Sequence, residues 1–423
     1  MTQQRRNRMA AAILGALVLA ATLVPAGRAD GFRNPPDGAL ALGRIGGRIA
    51  DVDDATAVSH NPANLVGIRK PTVQPSVTIG YCEKEFTDAL GRATTSEDPW
   101  RLLPSLYAAM PLKPGVLTLG AAVTVPYGQS TRWDEYGPLR YKAPHYARMT
   151  VLDVTPSVGV RIADRLSVGA GLDLYRGDVK FQQAVPWALA SRNPVAPDGV
   201  MTLEGDGTAV GGNLGATLKL TDSQRVAFTY KLPFDVDCEG SADLTGVPPG
   251  LPALASTDFS TTFRFPQIAA VGYSVRLTET VRVEANVEWL QHSRNDVLDL
   301  DVGANNALLN SLGTNSMVQD WKDTWTFGVG ADWEFAPNWQ LRAGYLYMPT
   351  PVPQHALIPS AAERDQTVVS LGLGWRSSRH SVDAALAQGF FRRRDVDGNQ
   401  NPDYNGDYRF RSTLLGLTYG YAF

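Results

Sequence analysis

Hydrophobic and polar positions alternate in steps of two through most of this 423-residue chain. At its end, Phe423, Tyr421, Tyr419, Leu417 and Leu415 share one face of a period-2 strand, and Ala422, Gly420, Thr418, Gly416 and Ser412 share the other. In Val281–His292 the apolar set Val281, Val283, Ala285, Val287 and Trp289 opposes Arg282, Glu284, Asn286, Glu288 and His292. Trp325–Phe335, Trp339–Tyr347 and Thr367–Trp375 repeat the pattern. From Pro71 onward about fourteen such segments can be placed, and no amphipathic helix of useful length.

A soluble sandwich also alternates, so the connections have to discriminate. Lys113-Pro114-Gly115, Ala163-Asp164-Arg165, Thr221-Asp222-Ser223, Thr278-Glu279-Thr280, Ala336-Pro337-Asn338 and Ser377-Ser378-Arg379 read as tight turns. Between them lie long loops: 127–146, 181–205, 239–256, 293–320, 350–365 and 393–407. Strict alternation of short and long connections gives one end of tight turns and one end of large loops, the pattern of an outer-membrane barrel. Lipid cannot satisfy backbone groups, so the sheet must close with its apolar face outward. Arg282, Glu284, Glu288, Asp332, Glu334, Arg342 and Arg376 then line the lumen, where some neutralise one another.

The N-terminus supports that compartment. Arg5, Arg6 and Arg8 precede an apolar run from Met9 to Val24, followed by Pro25 and Gly27-Arg28-Ala29, which reads as a signal peptide over 1–29. No later apolar stretch reaches the roughly 18 residues of a membrane helix. A net charge of −3 gives no reason to expect nucleic acid as a partner. Cys82 and Cys238 are the only cysteines, too few for a disulfide framework and far apart in the strand order. The five histidines stand beside no Gly-x-Ser-x-Gly elbow or His-Glu-x-x-His pair, so no enzyme and no cofactor is expected. The Asp395–Asp403 loop has Gln400 where a calcium loop needs glycine, and is read as a solvated acidic turn.

Residues 30–70 do not read as strand. The segment is glycine-rich yet carries Leu40, Leu42, Ile45, Ile49, Val52, Val58 and Leu65, with a short helical turn expected over 49–55. A barrel of about fourteen strands leaves a lumen that must be filled if it is not to leak, and this segment is the available plug. Gly31-Phe32, Leu42-Gly43-Arg44, Gly46-Gly47, the acidic pair Asp53-Asp54 and Asn61-Pro62-Ala63 resemble the hatch of the FadL-type long-chain fatty-acid outer-membrane transporters. The resemblance continues through Pro126-Tyr127-Gly128 after the third strand, Thr155–Gly159 and Leu166–Gly171 in the fourth and fifth, and Leu341–Tyr347 in the eleventh. It covers the mature chain, with a hatch over 30–70 and an all-β, antiparallel transmembrane barrel over 71–423.

The resemblance implies uptake of hydrophobic compounds, either long-chain fatty acids or hydrocarbons. Its route is capture by loops, an internal pocket, hatch movement and exit through the wall, with Phe32 reaching the ligand. Trp187 and Leu189 in one outer loop, and Leu251 and Leu254 in another, are candidate capture residues, because water-facing loops rarely carry such side chains without a contact to make. Loop self-packing is the competing explanation. Arg282, Arg342 and Lys231 are candidate cations for a carboxylate. Other expected partners are outer-membrane lipid, lipopolysaccharide and, through Phe423, the barrel-assembly machinery. A porin for polar solutes is the alternative function.

Overall fold

The computed structural model describes residues 33–251, 253–307 and 316–423. The signal-peptide segment, Phe32 and Pro252 lie outside them. Fourteen strands close into one antiparallel barrel. They are β1 (Thr72–Asp88), β2 (Trp100–Lys113), β3 (Leu117–Arg132), β4 (Tyr146–Ala163), β5 (Leu166–Val185), β6 (Gly199–Lys219) and β7 (Gln224–Lys231, resuming as Phe234–Leu244). Then follow β8 (Ser256–Phe265, resuming as Ile268–Arg276), β9 (Val281–Leu290), β10 (Thr324–Ala336), β11 (Trp339–Met348), β12 (Gln366–Arg376), β13 (His380–Phe391) and β14 (Gly406–Ala422). Closure is made by β1 against β14, in register from Thr72 opposite Ala422 to Asp88 opposite Gly406.

The face assignment holds. Leu415, Leu417 and Tyr419 are exposed on the outside, as are Trp325, Phe327, Val329 and Trp333, while Glu284, Glu288 and Asp332 are buried inside. Trp325 and Trp333 stand eight positions apart on β10, which at about 3.3 Å per residue and a strand tilt of about 40° spans roughly 20 Å, most of an apolar band about 25 Å tall. The predicted loops begin too early, however. β3 runs on to Arg132, β5 to Val185, and β6 starts at Gly199. Above the lipid both strand faces meet polar surroundings or packed loops, so the alternation that marks a membrane strand disappears while the ladder continues. These upper strands and the outer loops enclose one large apolar core.

Residues 33–71 fill the lumen, consistent with a hatch. Helices α1 (Ala39–Gly43) and α2 (Ala57–His60) and a 3-10 turn (Pro62–Gly67) are short. Ala39, Leu42 and Ile45 pack against Leu346, Val368, Ala385 and Leu414 on one side of the barrel. Val52, Val58 and Leu65 pack against Tyr107, Ala109 and Ala122 on the other. The helical turn expected over 49–55 is absent and forms later, at Ala57. Its backbone N–H groups are instead taken by the wall: Ile49, Ala50 and Asp51 donate to the Glu284 carboxylate at 2.6, 2.8 and 3.0 Å. A buried carboxylate receiving three amide donors removes the need for local helix.

Backbone lies directly on backbone where segment meets wall. A Cβ on Gly46 would stand 2.1 Å from the Tyr345 carbonyl oxygen and 2.2 Å from the Val329 nitrogen. Gly46→Val therefore cannot be accommodated in place, and overpacking of this kind costs about 1–3 kcal/mol. The expected outcome is a folded, heat-modifiable barrel whose hatch is cleaved by protease more readily than in the parent. Equal protease resistance in the two proteins would refute this seating.

Candidate functional site

Three features of the lumen could serve passage of a solute: the seat of the hatch, a cavity above it, and a break in the wall beside it. The seat is built by Asn61-Pro62-Ala63. Asn61 accepts from the Ala63 N–H at 3.1 Å, capping the 3-10 turn that Pro62 opens. It also donates to the Ile49 carbonyl and to Thr217 Oγ1, both at 2.9 Å. Beneath the triplet, Gly159, Gly169 and Gly215 lie side by side across β4, β5 and β6. A Cβ at Gly169 would fall 2.3 Å from the Pro62 carbonyl carbon, and one at Gly215 would fall 2.1 Å from Asn61 Oδ1. The flat row of glycines admits the triplet against the sheet.

Charge fastens the rest. Asp51 pairs with Arg225 and Arg282, each at 2.6 Å. Asp53 pairs with Arg376 at 3.2 Å, and Arg282 Nη2 lies 4.0 Å away. Although burial opposes its charge, Arg376 and Arg282 hold Asp53 well below the usual carboxylate range. Asp54 is different: it accepts from the Thr56 N–H at 3.0 Å and from Gln74 at 3.3 Å, closing the turn that starts α2. Arg44 pairs with Asp332, and Arg33 and Arg48 both pair with Glu288. His60, bonded through Nε2 to the Asp37 carbonyl, is lowered by burial to about 3 and stays neutral. Burial raises Asp37 to about 6 against the opposing charges of Lys231 and Arg33.

Above the hatch is a largely apolar cavity of about 140 Å³, lined among others by Ile45, Leu103, Leu346, Val368 and Phe391. Arg364 lines it from the loop between β11 and β12 and is only 5 % exposed. Among the described residues its Nε and Nη1 have no hydrogen-bond partner. Burial lowers it to about 10, so it remains a cation at neutral pH. Nothing in Ala361-Ala362-Glu363-Arg364 distinguishes this arginine in sequence, because its burial is imposed by the loops packed around it.

The wall breaks between β2 and β3. Their ladder runs from Lys113 opposite Leu117 only as far as Leu106 opposite Val123. Above that point β2 and β3 form no ladder with each other: β2 pairs with β1, and β3 pairs with β4 and, at Tyr127, bridges Arg33 of the N-terminal segment. A β-bulge at Val125-Pro126, between Thr124 and Tyr127, accompanies the separation. Higher up, Arg101 donates to the Ser130 carbonyl at 3.0 Å and spans the gap. Inside the break sits the hatch: Asn34 donates from its N–H to the Pro126 carbonyl at 3.0 Å and from Nδ2 to the Val125 carbonyl at 2.6 Å. Pro126-Tyr127-Gly128, expected after the third strand, thus lies within it, where a proline signals a bulge.

The candidate cations fall elsewhere. Arg282 belongs to the charge fastening, and Arg342 pairs with Asp332 at 3.1 Å and Asp383 at 2.6 Å. Lys231 lies on the lumen side of β7, opposite Asn213 and Ile268. None of the three lines the apolar cavity. Of the loop residues, Trp187 is fully buried with its indole N–H on the Thr245 carbonyl at 2.8 Å, and Leu251 packs on the same outer core. Leu189 and Leu254 remain exposed, at 78 % and 54 %. Self-packing therefore accounts for two of the four.

A closed barrel with an outward apolar band, an occupied lumen and a break in its wall is the architecture of an outer-membrane transport protein. The family described as outer membrane protein transport protein (OMPP1/FadL/TodX) matches residues 19–423, and the chain belongs to it. Members carry hydrophobic compounds across the bacterial outer membrane. The long-chain fatty acid transport protein of Escherichia coli O6:H1 is 22% identical over 432 residues, covering 93% of this chain and 94% of the relative. That of Salmonella typhi is 24% identical over 428 residues with the same coverage. Among solved structures, a Pseudomonas aeruginosa FadL homologue superposes with a TM-score of 0.81 at 21% identity, covering 93% of this chain and 100% of that one. The P. putida toluene transporter TodX gives 0.72 at 17% identity, covering 92% and 99%.

The fastening is open to test through Asp51. Asp51→Ala leaves Arg225 and Arg282 without their shared partner; because both arginines are partly solvated, the loss is about 1–3 kcal/mol rather than that of a fully buried pair. Faster deuterium uptake over residues 44–56 is expected, with the barrel's exchange unchanged. Identical uptake in variant and parent would contradict the role given to Asp51.

Proposed function

We propose that the protein takes up hydrophobic compounds bearing an anionic head, with long-chain fatty acids as the matching class, and releases them sideways into the membrane between β2 and β3. The observation that carries the reading is Arg364: a buried cation with two unsatisfied nitrogens facing an apolar cavity. Such an arrangement is costly unless a ligand supplies an anion, and a carboxylate on an alkyl chain meets both surfaces. The exposed Leu189 and Leu254 serve first capture at the outer face. Arg33 lines the cavity, and the contact of Phe32 with the ligand is proposed on the family resemblance alone, since Phe32 lies outside the described residues.

The same cavity supports the direction of exit. Leu103 of β2 and Gln129 of β3 both line it, one from each side of the break, and Asn34 lines it too. At about 140 Å³ it is smaller than the roughly 300 Å³ at which ligand sites begin. A chain can be held only if the hatch yields, and the part that fills the break is Asn34. Withdrawal of Asn34 from the Val125 and Pro126 carbonyls would join cavity and lipid without opening the lumen to the periplasm.

Arg364→Met separates the two substrate classes. A hydrogen bond to a charged group contributes about 1.5–3 kcal/mol, so fatty-acid binding to the purified protein should weaken by about tenfold to a hundredfold, while binding of a neutral alkane of equal length stays within a factor of two or so. Equal weakening of both ligands, or of neither, would sink the anionic-head reading and leave a neutral hydrocarbon as the substrate.

A further inference from the structure

Under the hatch the lumen widens toward the periplasm into a polar cavity of about 370 Å³. One side of it is basic. Arg161 on β4, Lys219 on β6, Arg225 on β7, Arg276 on β8 and Arg282 on β9 line it, with Arg165 from the β4–β5 turn and Arg69 from the end of the hatch. Within the ladders, Lys219 stands directly opposite Arg225, and Arg276 directly opposite Arg282. Like charges directly opposed across strands are destabilising. Five cations on neighbouring strands therefore call for compensating anions.

The protein supplies only part of that compensation. Asp51 serves Arg225 and Arg282. Arg69, Arg161, Lys219 and Arg276 form no ion pair among the described residues. Arg69 is nonetheless seated: Gly115, at φ +79°, would bring a Cβ to 2.1 Å from its Nη1, so the β2–β3 turn keeps a side-chain-free face for the guanidinium. Asp164, Glu279 and Glu334 also border the cavity without ion pairs among the described residues, Asp164 in the β4–β5 turn beside Arg165. Glu279 and Glu334 lie in the β8–β9 turn and on β10, several strands round the wall from Arg161 and Lys219.

We propose that this cavity is a site for a small multivalent oxyanion entering from the periplasm, held by Arg69, Arg161 and Lys219. Guanidinium forks match phosphate and carboxylate oxygens in pairs, and the lysine adds a point charge. Arg225 is the link to the hatch. It faces Lys219 on one side and Asp51 on the other, so a bound anion competes with Asp51 for it and loosens the fastening. Binding on the periplasmic side thereby favours hatch movement, whatever hydrophobic compound is carried.

The test uses the purified full-length protein in detergent at constant ionic strength, titrated calorimetrically with inorganic phosphate and separately with citrate. Saturable binding of at least one is expected, weakened about twofold to fivefold by Arg161→Gln or by Lys219→Gln. Phosphate alone binding would assign phosphate chemistry, and citrate alone carboxylate chemistry. Deuterium uptake over 49–56 should rise severalfold with the bound anion. No saturable binding of either anion, or binding indifferent to both substitutions, overturns the site. Binding without a change in uptake over 49–56 overturns its coupling to the hatch. Heat-modifiable mobility of each variant shows that the barrel has folded.

Discussion

Everything in this molecule rests on how closely one polypeptide segment can approach the inner wall of a barrel. Lipid forces the sheet to close, and fourteen strands enclose more space than their own side chains can fill. The vacancy is taken by residues 33–71, whose backbone reaches the wall at Gly46 and at Asn61-Pro62-Ala63 because the opposing positions carry no side chain to hold it off. Close contact creates a second demand, since amides pressed against a sheet lose their water. Glu284 meets it by accepting from three consecutive amides, and Asn61 and Asn64 meet it through the Ile49 carbonyl and Thr217. The charges complete the fit. They fix the position of the segment.

The same segment connects seat to exit. Its first described residues fill the break beside the β3 bulge, and near its end Arg69 lies against Gly115 of the β2–β3 turn. A movement that frees Asn34 need not disturb the glycine row under Pro62, because the two contacts lie on different strands. On the proposed route, passage of a hydrophobic compound is thus separable from leakage of polar solutes, which is the physical reason a general porin fits this architecture poorly.

Much of the architecture is legible in the chain. Period-2 alternation, the short and long connections and the apolar C-terminal strand suffice for a barrel with its apolar face outward, because lipid imposes that pattern residue by residue. Asp53 and Asn61-Pro62-Ala63 were legible as motifs, and the fold brings Asp53 to Arg376 and seats the triplet against the wall at Thr217 and the glycine row. What stayed hidden depends on contacts far apart in sequence. Arg364 acquires its character from the loops that bury it, and Arg282 and Arg342 look like free lumenal cations until Asp51, Asp332 and Asp383 are brought beside them. The turn expected over 49–55 failed for the same reason: Glu284, over two hundred residues away, offers those amides a better acceptor. Trp187 and Leu251 read as sticky loop residues and instead form part of the outer core.

Removal of one residue tests the sideways route most directly. Deleting Pro126 abolishes the bulge, and since Tyr127 then follows Val125 with its inward parity kept, β3 can pair regularly with β4 and lie against β2. Uptake of labelled long-chain fatty acid by cells carrying this variant should fall to about a tenth or less of the parent's, with binding by the purified protein retained. Undiminished uptake through a folded barrel lacking the bulge would contradict exit between β2 and β3.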